Sequence, residues 1–78
     1  MDYRDAAVAV LRDEDGGPLH WTVIQDLALK RGYIDPFTQQ DLRKNLLAAL
    51  AEASREGVIA KADKGVYTLP REVDPDPS

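Results

Sequence analysis

The chain has no cysteine, a single histidine and no long apolar run. Without cysteine it can form neither a disulfide framework nor a thiolate metal site, and His20 alone is too little for a zinc site. No segment approaches the roughly 18 apolar residues that span a bilayer. The N-terminal MDYRDAAVAV carries acidic residues where a signal peptide is basic. These absences predict a cytoplasmic protein without metal, cofactor or membrane contact.

Signatures of catalysis are missing as well. There is no glycine-rich phosphate loop, no metal-ligand spacing and no residue order typical of a catalytic triad. The 14 acidic residues are scattered, and a single domain from 78 residues offers no deep pocket. We therefore expect a protein that is not an enzyme and has no small-molecule substrate.

The chain also lacks the excess of basic residues that is typical of nucleic-acid-binding domains. Its net charge is −4. The last seven residues hold three acids and no base, so residues 1–71 keep 11 acids against 10 bases. A local basic patch can still attract DNA from such a nearly neutral domain. We predict one domain over residues 1–71 and a disordered acidic Pro/Asp tail over residues 72–78.

What the sequence does contain is a pattern of three helices followed by a β-hairpin. Apolar spacing predicts a first helix over Tyr3–Glu14, with Asp2 as its N-cap, and a second from Trp21 or Thr22 to Arg31. The third and longest is predicted from Gln39 to Glu56. Its core face is expected to hold the apolar residues Leu42, Leu46, Ala49, Leu50 and Ala53.

The turn between the second and third helices contains two aromatic residues. We expect Tyr33 and Phe37 to be buried there, because so apolar a turn is unusual in solvent. The alternative is that they are exposed in the turn and anchor a partner. Thr38 and Asp41 resemble a capping box for the third helix, with Thr38 at the N-cap. In that arrangement Phe37 would pack against Leu42 as a hydrophobic staple.

The hairpin is predicted over residues 58–61 and 66–69, with Gly65 supplying a positive φ in the loop. Leu19–Trp21 is predicted as a short first strand that pairs with this hairpin, Trp21 packing into the core and His20 having a satisfied ring nitrogen. The predicted fold is mainly α, of the α+β class. It is a winged helix-turn-helix, three helices followed by a β-hairpin wing.

Two segments carry a family resemblance that spans about Ala6 to Leu69. Residues 17–24, Gly-Pro-Leu-His-Trp-Thr-Val-Ile, and the closing Gly-x-Tyr-x-Leu of Gly65, Tyr67 and Leu69 resemble the HARE-HTH domain. That family of winged helices includes the N-terminal domain of the bacterial RNA polymerase delta subunit, and also domains of chromatin-associated and restriction-modification proteins. The resemblance implies a winged helix with a DNA-linked role.

DNA-binding candidates lie at the start of the third helix and on the hairpin. The N-terminal part of a recognition helix meets base edges, where Gln40 suits adenine and Arg43 suits guanine, with Lys44 beside them. Lys61 and Lys64 suit phosphate contacts. The alternative is that all five are ordinary solvated residues, with the two lysines keeping edge strands from pairing.

An apolar patch on the third helix suggests a different function. Leu47, Ala48 and Ala51 are predicted on its outer face, where they suit a helix contact, close approach to a groove, or an extension of the core. The primary hypothesis is a double-stranded DNA-binding protein of transcriptional regulation or another DNA transaction. The alternative is a protein-interaction module that docks on RNA polymerase or another protein, or forms a homodimer.

Overall fold

The computed structural model describes residues 2–35, 37 and 41–70, and these form an α+β domain. Its helices are α1 (Tyr3–Asp13), α2 (Trp21–Lys30) and α3 (Leu42–Arg55), and its strands are β1 (Leu19–His20), β2 (Ala60–Asp63) and β3 (Val66–Thr68). The predicted class and order of elements are confirmed. In this part of the chain no helix is long and apolar enough to cross a membrane. The predictions for Thr38, Gln39, Gln40 and the acidic tail fall outside the described residues.

The core lies between the helices and is built largely from small and aliphatic side chains. Helix α1 packs against both α2 and α3, and its two alanines Ala6 and Ala7 are fully buried in the core. The predicted core face of α3 is confirmed for Leu46, Leu50 and Ala53, which are fully buried, while Leu42 and Ala49 are half-buried. The other buried residues are Ala6, Ala7, Val10, Leu11, Ile24, Ala28, Ile34, Ile59 and Tyr67.

Asp2 begins α1 as predicted, because its Oδ1 accepts a hydrogen bond of 2.8 Å from the backbone N–H of Asp5. After α1 the chain turns through Gly16 and Gly17. The carbonyl of Gly16 accepts hydrogen bonds from the Leu69 N–H at 2.8 Å and from the Thr68 hydroxyl at 2.6 Å. These bonds fix the loop after α1 to the end of β3.

The three strands form one antiparallel sheet in the order β1-β3-β2. Leu19 pairs with Tyr67 and His20 with Val66, which confirms the predicted pairing of the short first strand with the hairpin. The register shifts between Lys61 and Asp63, so a bulge precedes the hairpin loop. The sheet therefore ties the segment that opens α2 to the hairpin.

The start of α3 differs from the prediction. The helix begins at Leu42, because Asp41 adopts a left-handed conformation with φ 53° and ψ 46° and makes no side-chain cap hydrogen bond. Asp is one of the few non-glycine residues that visit this region routinely. Asp41 is thus not the third helical residue of a capping box, and α3 begins later than predicted, at Leu42.

The prediction that Phe37 is buried was also wrong. Its side chain is 95% exposed, so it does not staple onto Leu42. The backbone N–H of Phe37 donates to Asp35 Oδ1 at 2.9 Å, an Asx turn. Ile34, which is 2% exposed, is instead the apolar anchor of the turn, and Tyr33 packs half-buried against the core.

Candidate nucleic-acid interface

Trp21 connects the start of α2 to the loop of the hairpin. Its backbone N–H donates to the carbonyl of Gly65 at 2.9 Å, and its half-buried ring packs against the core as predicted. Gly65 has the predicted positive φ of +72°. A Cβ at this position would lie 3.0 Å from His20 Nε2 and 3.4 Å from Trp21 Cδ1. Glycine therefore suits both the positive φ and the close approach of the hairpin loop to these two rings.

The same tryptophan also contacts α3. The guanidinium carbon of Arg43 lies 5.3 Å from the centroid of the Trp21 ring, within the range of a cation–π interaction. Arg43 belongs to the first turn of α3, and Lys64 directly precedes Gly65 in the hairpin loop. Trp21 thus brings the start of α3 and the hairpin loop to the same side of the molecule.

Four of the five predicted DNA-binding residues lie in the described part of the chain, and all four are exposed: Arg43, Lys44, Lys61 and Lys64. Within that part, no carboxylate lies within 4.0 Å of any of these cations. The nearby Asp63 uses Oδ1 to accept from the backbone N–H of Lys64 at 2.8 Å. Gln40 falls outside the described residues.

Arg4, Lys30 and Arg31, in contrast, each have a carboxylate within 4.0 Å. Arg31 at the end of α2 forms salt bridges to Asp13 at 3.2 Å and to Glu14 at 2.7 Å. The hydrogen bond to Glu14 raises the pKa of Arg31. The Tyr33 hydroxyl donates to Asp13 at 2.6 Å, and this bond raises the pKa of Tyr33. These four side chains join the ends of α1 and α2.

His20 serves as the N-cap of α2. Its Nδ1 accepts from the backbone N–H of Thr22 at 3.2 Å and lies 2.8 Å from the Thr22 hydroxyl oxygen, so the prediction of a satisfied ring nitrogen is confirmed. Sequence reasoning missed both this cap and the stacking of Arg43 on Trp21. The cap has a local signal, since a side-chain acceptor directly before the helix is the usual arrangement. The stacking has none, because tertiary packing alone brings those two residues together.

The three residues of the alternative protein interface differ in burial. Leu47 is half-buried and packs against the core, whereas Ala48 and Ala51 are exposed. Leu47 thus occupies the flank of α3, not its outer face. The smooth outer surface is reduced to two alanines, which leaves little apolar area for a partner.

No family model matches this chain, and neither does any curated protein or solved structure. Residues of the closing motif have structural roles in the domain. Gly65 provides the positive φ of the hairpin loop, Tyr67 is buried in β3, and Leu69 donates to the carbonyl of Gly16. The three residues of this motif therefore support the structure of the hairpin, and they give no information about what the domain binds.

Proposed function

We propose that the domain is a winged helix-turn-helix of the HARE-HTH type that binds double-stranded DNA in transcriptional regulation or another DNA transaction. In this arrangement α2 and α3 are the helix-turn-helix and the β2–β3 hairpin is the wing. Two features support it, namely the strand order β1-β3-β2 and the antiparallel pairing of the segment before α2 with the hairpin.

The observation that carries the DNA-binding proposal is the contact of Trp21 with both Arg43 and the hairpin loop. It places Arg43 of α3 and the hairpin loop that carries Lys64 beside Trp21, and no carboxylate of the described residues lies within 4.0 Å of the four cations Arg43, Lys44, Lys61 and Lys64. A chain of net charge −4 thereby presents a locally basic surface.

The proposed contacts follow from the chemistry of these side chains. The first turn of α3 enters the major groove, where Arg43 donates to the O6 and N7 atoms of guanine. Gln40, which precedes this helix in the chain, is proposed to pair with adenine. Arg43 is partly immobilised by its contact with Trp21, so it loses less side-chain entropy on binding. Lys44, Lys61 and Lys64 contact phosphates, which position the domain on the duplex.

The test removes the two cations of α3. We expect Arg43→Ala with Lys44→Ala to lower the affinity for a random-sequence duplex by about tenfold or more at low salt, because removing a side chain that touches DNA costs on the order of 1 kcal/mol. Titrations of labelled duplex at low and at physiological salt measure this change. For the wild type, affinity should fall steeply as salt rises.

The control is the pair Arg12→Ala and Lys30→Ala, which removes the same charge from the ends of α1 and α2. It should bind DNA nearly as well as the wild type. Circular dichroism of both variants checks that the helices remain. Equal affinity in the two double variants, or an affinity of the wild type that ignores salt, would contradict the proposal.

A further inference from the structure

The outer face of α3 carries an ordered set of charges. Asp41, at the N-cap, and Lys44, Glu52 and Arg55 are all exposed, and at 100° per residue they fall on the face opposite the buried Leu46 and Leu50. Within the described residues none of the four has a salt bridge, although Arg4 does pair with Glu56 next to them. One helical face thus presents two bases and two acids to solvent.

These charges lie at equal distances in sequence on either side of Ala48, and the two members of each pair have opposite signs. Lys44 and Glu52 lie four residues before and after it, and Asp41 and Arg55 lie seven residues before and after it. Each base therefore has an acid at the mirrored position. When two such helices pack antiparallel with Ala48 at the centre, Lys44 of each faces Glu52 of the other, and Asp41 faces Arg55. Because the two copies are related by a two-fold axis, each of these contacts occurs twice.

We propose that this face of α3 binds the same face of a second copy of the chain, antiparallel and centred on Ala48. The pairing satisfies all four charges of each copy, whereas a parallel arrangement would place like charges together. Ala48 and Ala51 are exposed and small, so the helix axes can approach to roughly 8 Å at the crossing point. Lysine and arginine side chains span such a distance to a carboxylate on the facing helix.

The surface beside α3 leaves room for that partner. An open cleft of about 500 Å³ lies between the start of α1 and the outer face of α3, and its lining includes Tyr3, Ala48, Glu52 and Arg55. The complex is nevertheless weak, because a single pair of short helices buries less than the roughly 1,200 Å² of a standard interface. Leu47 has no part in it, since it packs against the core.

One consequence of this self-association rests on the proposed function. Lys44 is both a proposed DNA contact and a member of the self-association face, so DNA and the second copy compete for α3. Glu52→Lys is expected to prevent self-association without removing a proposed DNA contact. This variant should therefore be monomeric and still bind DNA.

The test exchanges charges. Lys44→Glu and Glu52→Lys each place like charges opposite one another across the two-fold axis, so each variant alone should stay monomeric up to about 1 mM, a range that detects weak complexes. An equimolar mixture should associate, because the introduced glutamate then faces the introduced lysine. The double variant K44E/E52K should associate as the wild type does. Sedimentation velocity across this concentration range measures all of these samples beside the wild type.

Several results would overturn the proposal: a wild type that is monomeric at the highest concentration, single variants that associate as the wild type does, or a mixture that remains monomeric. Both residues are exposed, so the helices should persist, and circular dichroism checks this. If the wild type does not bind DNA but the mixture of single variants associates, the proposed function is wrong and the self-association proposal is still supported.

Discussion

The two sides of this small domain use their charges differently. Where α1 and α2 end, Arg31 binds Asp13 and Glu14, and Lys30 lies 4.0 Å from Asp26. Where α3 begins and the hairpin turns, the cations have no carboxylate within the same distance among the described residues. A net charge of −4 hides this difference, because it averages over both sides. Charges on the first side stabilise the packing of helices, whereas those on the second remain available to a ligand.

Trp21 lies at the centre of the second side, and its surroundings allow the strongest test of the comparison. Gly65→Ala places a methyl group 3.0 Å from His20 Nε2 at a φ of +72°. We expect a loss of about 2–4 kcal/mol in the free energy of unfolding, from left-handed strain together with displacement of the two rings. Urea unfolding followed by Trp21 fluorescence measures it.

Gly32→Ala provides the matched control. Its φ is +75°, and a Cβ there meets no atom within 4 Å, so only the left-handed strain of about 1–2 kcal/mol applies. The difference between the two variants isolates the contact of the hairpin loop with His20 and Trp21. Equal losses would mean that the rings of His20 and Trp21 shift without cost, so that their close approach to Gly65 does not constrain the hairpin loop.

A smaller effect on DNA affinity distinguishes the contribution of the hairpin lysines from that of α3. Lys61→Ala with Lys64→Ala should lower DNA affinity to a similar degree for every duplex sequence, because phosphate contacts carry no sequence information. The slope of log affinity against log salt concentration should decrease in magnitude by about 2, since each phosphate that a lysine no longer neutralises accounts for roughly 0.9. Fluorescence anisotropy at several salt concentrations measures the slope.

Lys30→Ala is the comparison variant from the other side of the molecule. It should leave both the affinity and the salt slope unchanged. An equal decrease in slope would show that DNA contacts the α1–α2 side as well. Unchanged slopes in the hairpin variant would leave α3 as the only proposed contact.

Local signals in the sequence predicted much of the fold. Asp2 and Gly65 identified a helix start and a hairpin loop, because capping and positive φ depend on residues close in the chain. Periodic apolar residues predicted the face of α3 that holds Leu46 and Leu50. The error at Phe37 had a tertiary cause, since Ile34 already fills the core beneath the turn.

The candidate site was less predictable. Arg43 and Lys64 were identified by position along their elements, but the contacts of Trp21 with Arg43 and with Gly65, the residue after Lys64, are tertiary, and no spacing in the sequence reveals them. Leu47 is half-buried against the core, because a 14-residue helix packed on several elements buries more than one stripe. The pairing of Arg31 with Asp13 and Glu14 likewise needed the crossing of α1 and α2, which the sequence did not specify.

The smallest predicted effect lies in the paired cluster and depends on pH. The bond from the Tyr33 hydroxyl to Asp13 raises the pKa of Tyr33 above its ordinary value of about 10. The folded protein therefore holds this proton more tightly than the unfolded chain. Its contribution to stability is complete below about pH 10 and is lost as pH rises through the raised pKa.

Tyr33→Phe should consequently lower the melting temperature slightly at about pH 8, and the gap from the wild type should narrow as pH rises above about 10. Other tyrosines and lysines titrate in the same range, but they are common to both proteins and cancel in the difference. Asp13→Asn replaces the charged acceptor, so in this variant the high-pH loss attributable to Tyr33 should shrink as well. A gap that stays constant from about pH 8 to about pH 11 would mean that the Tyr33–Asp13 bond does not stabilise the fold, and that the α1–α2 side relies on the salt bridges of Arg31 alone.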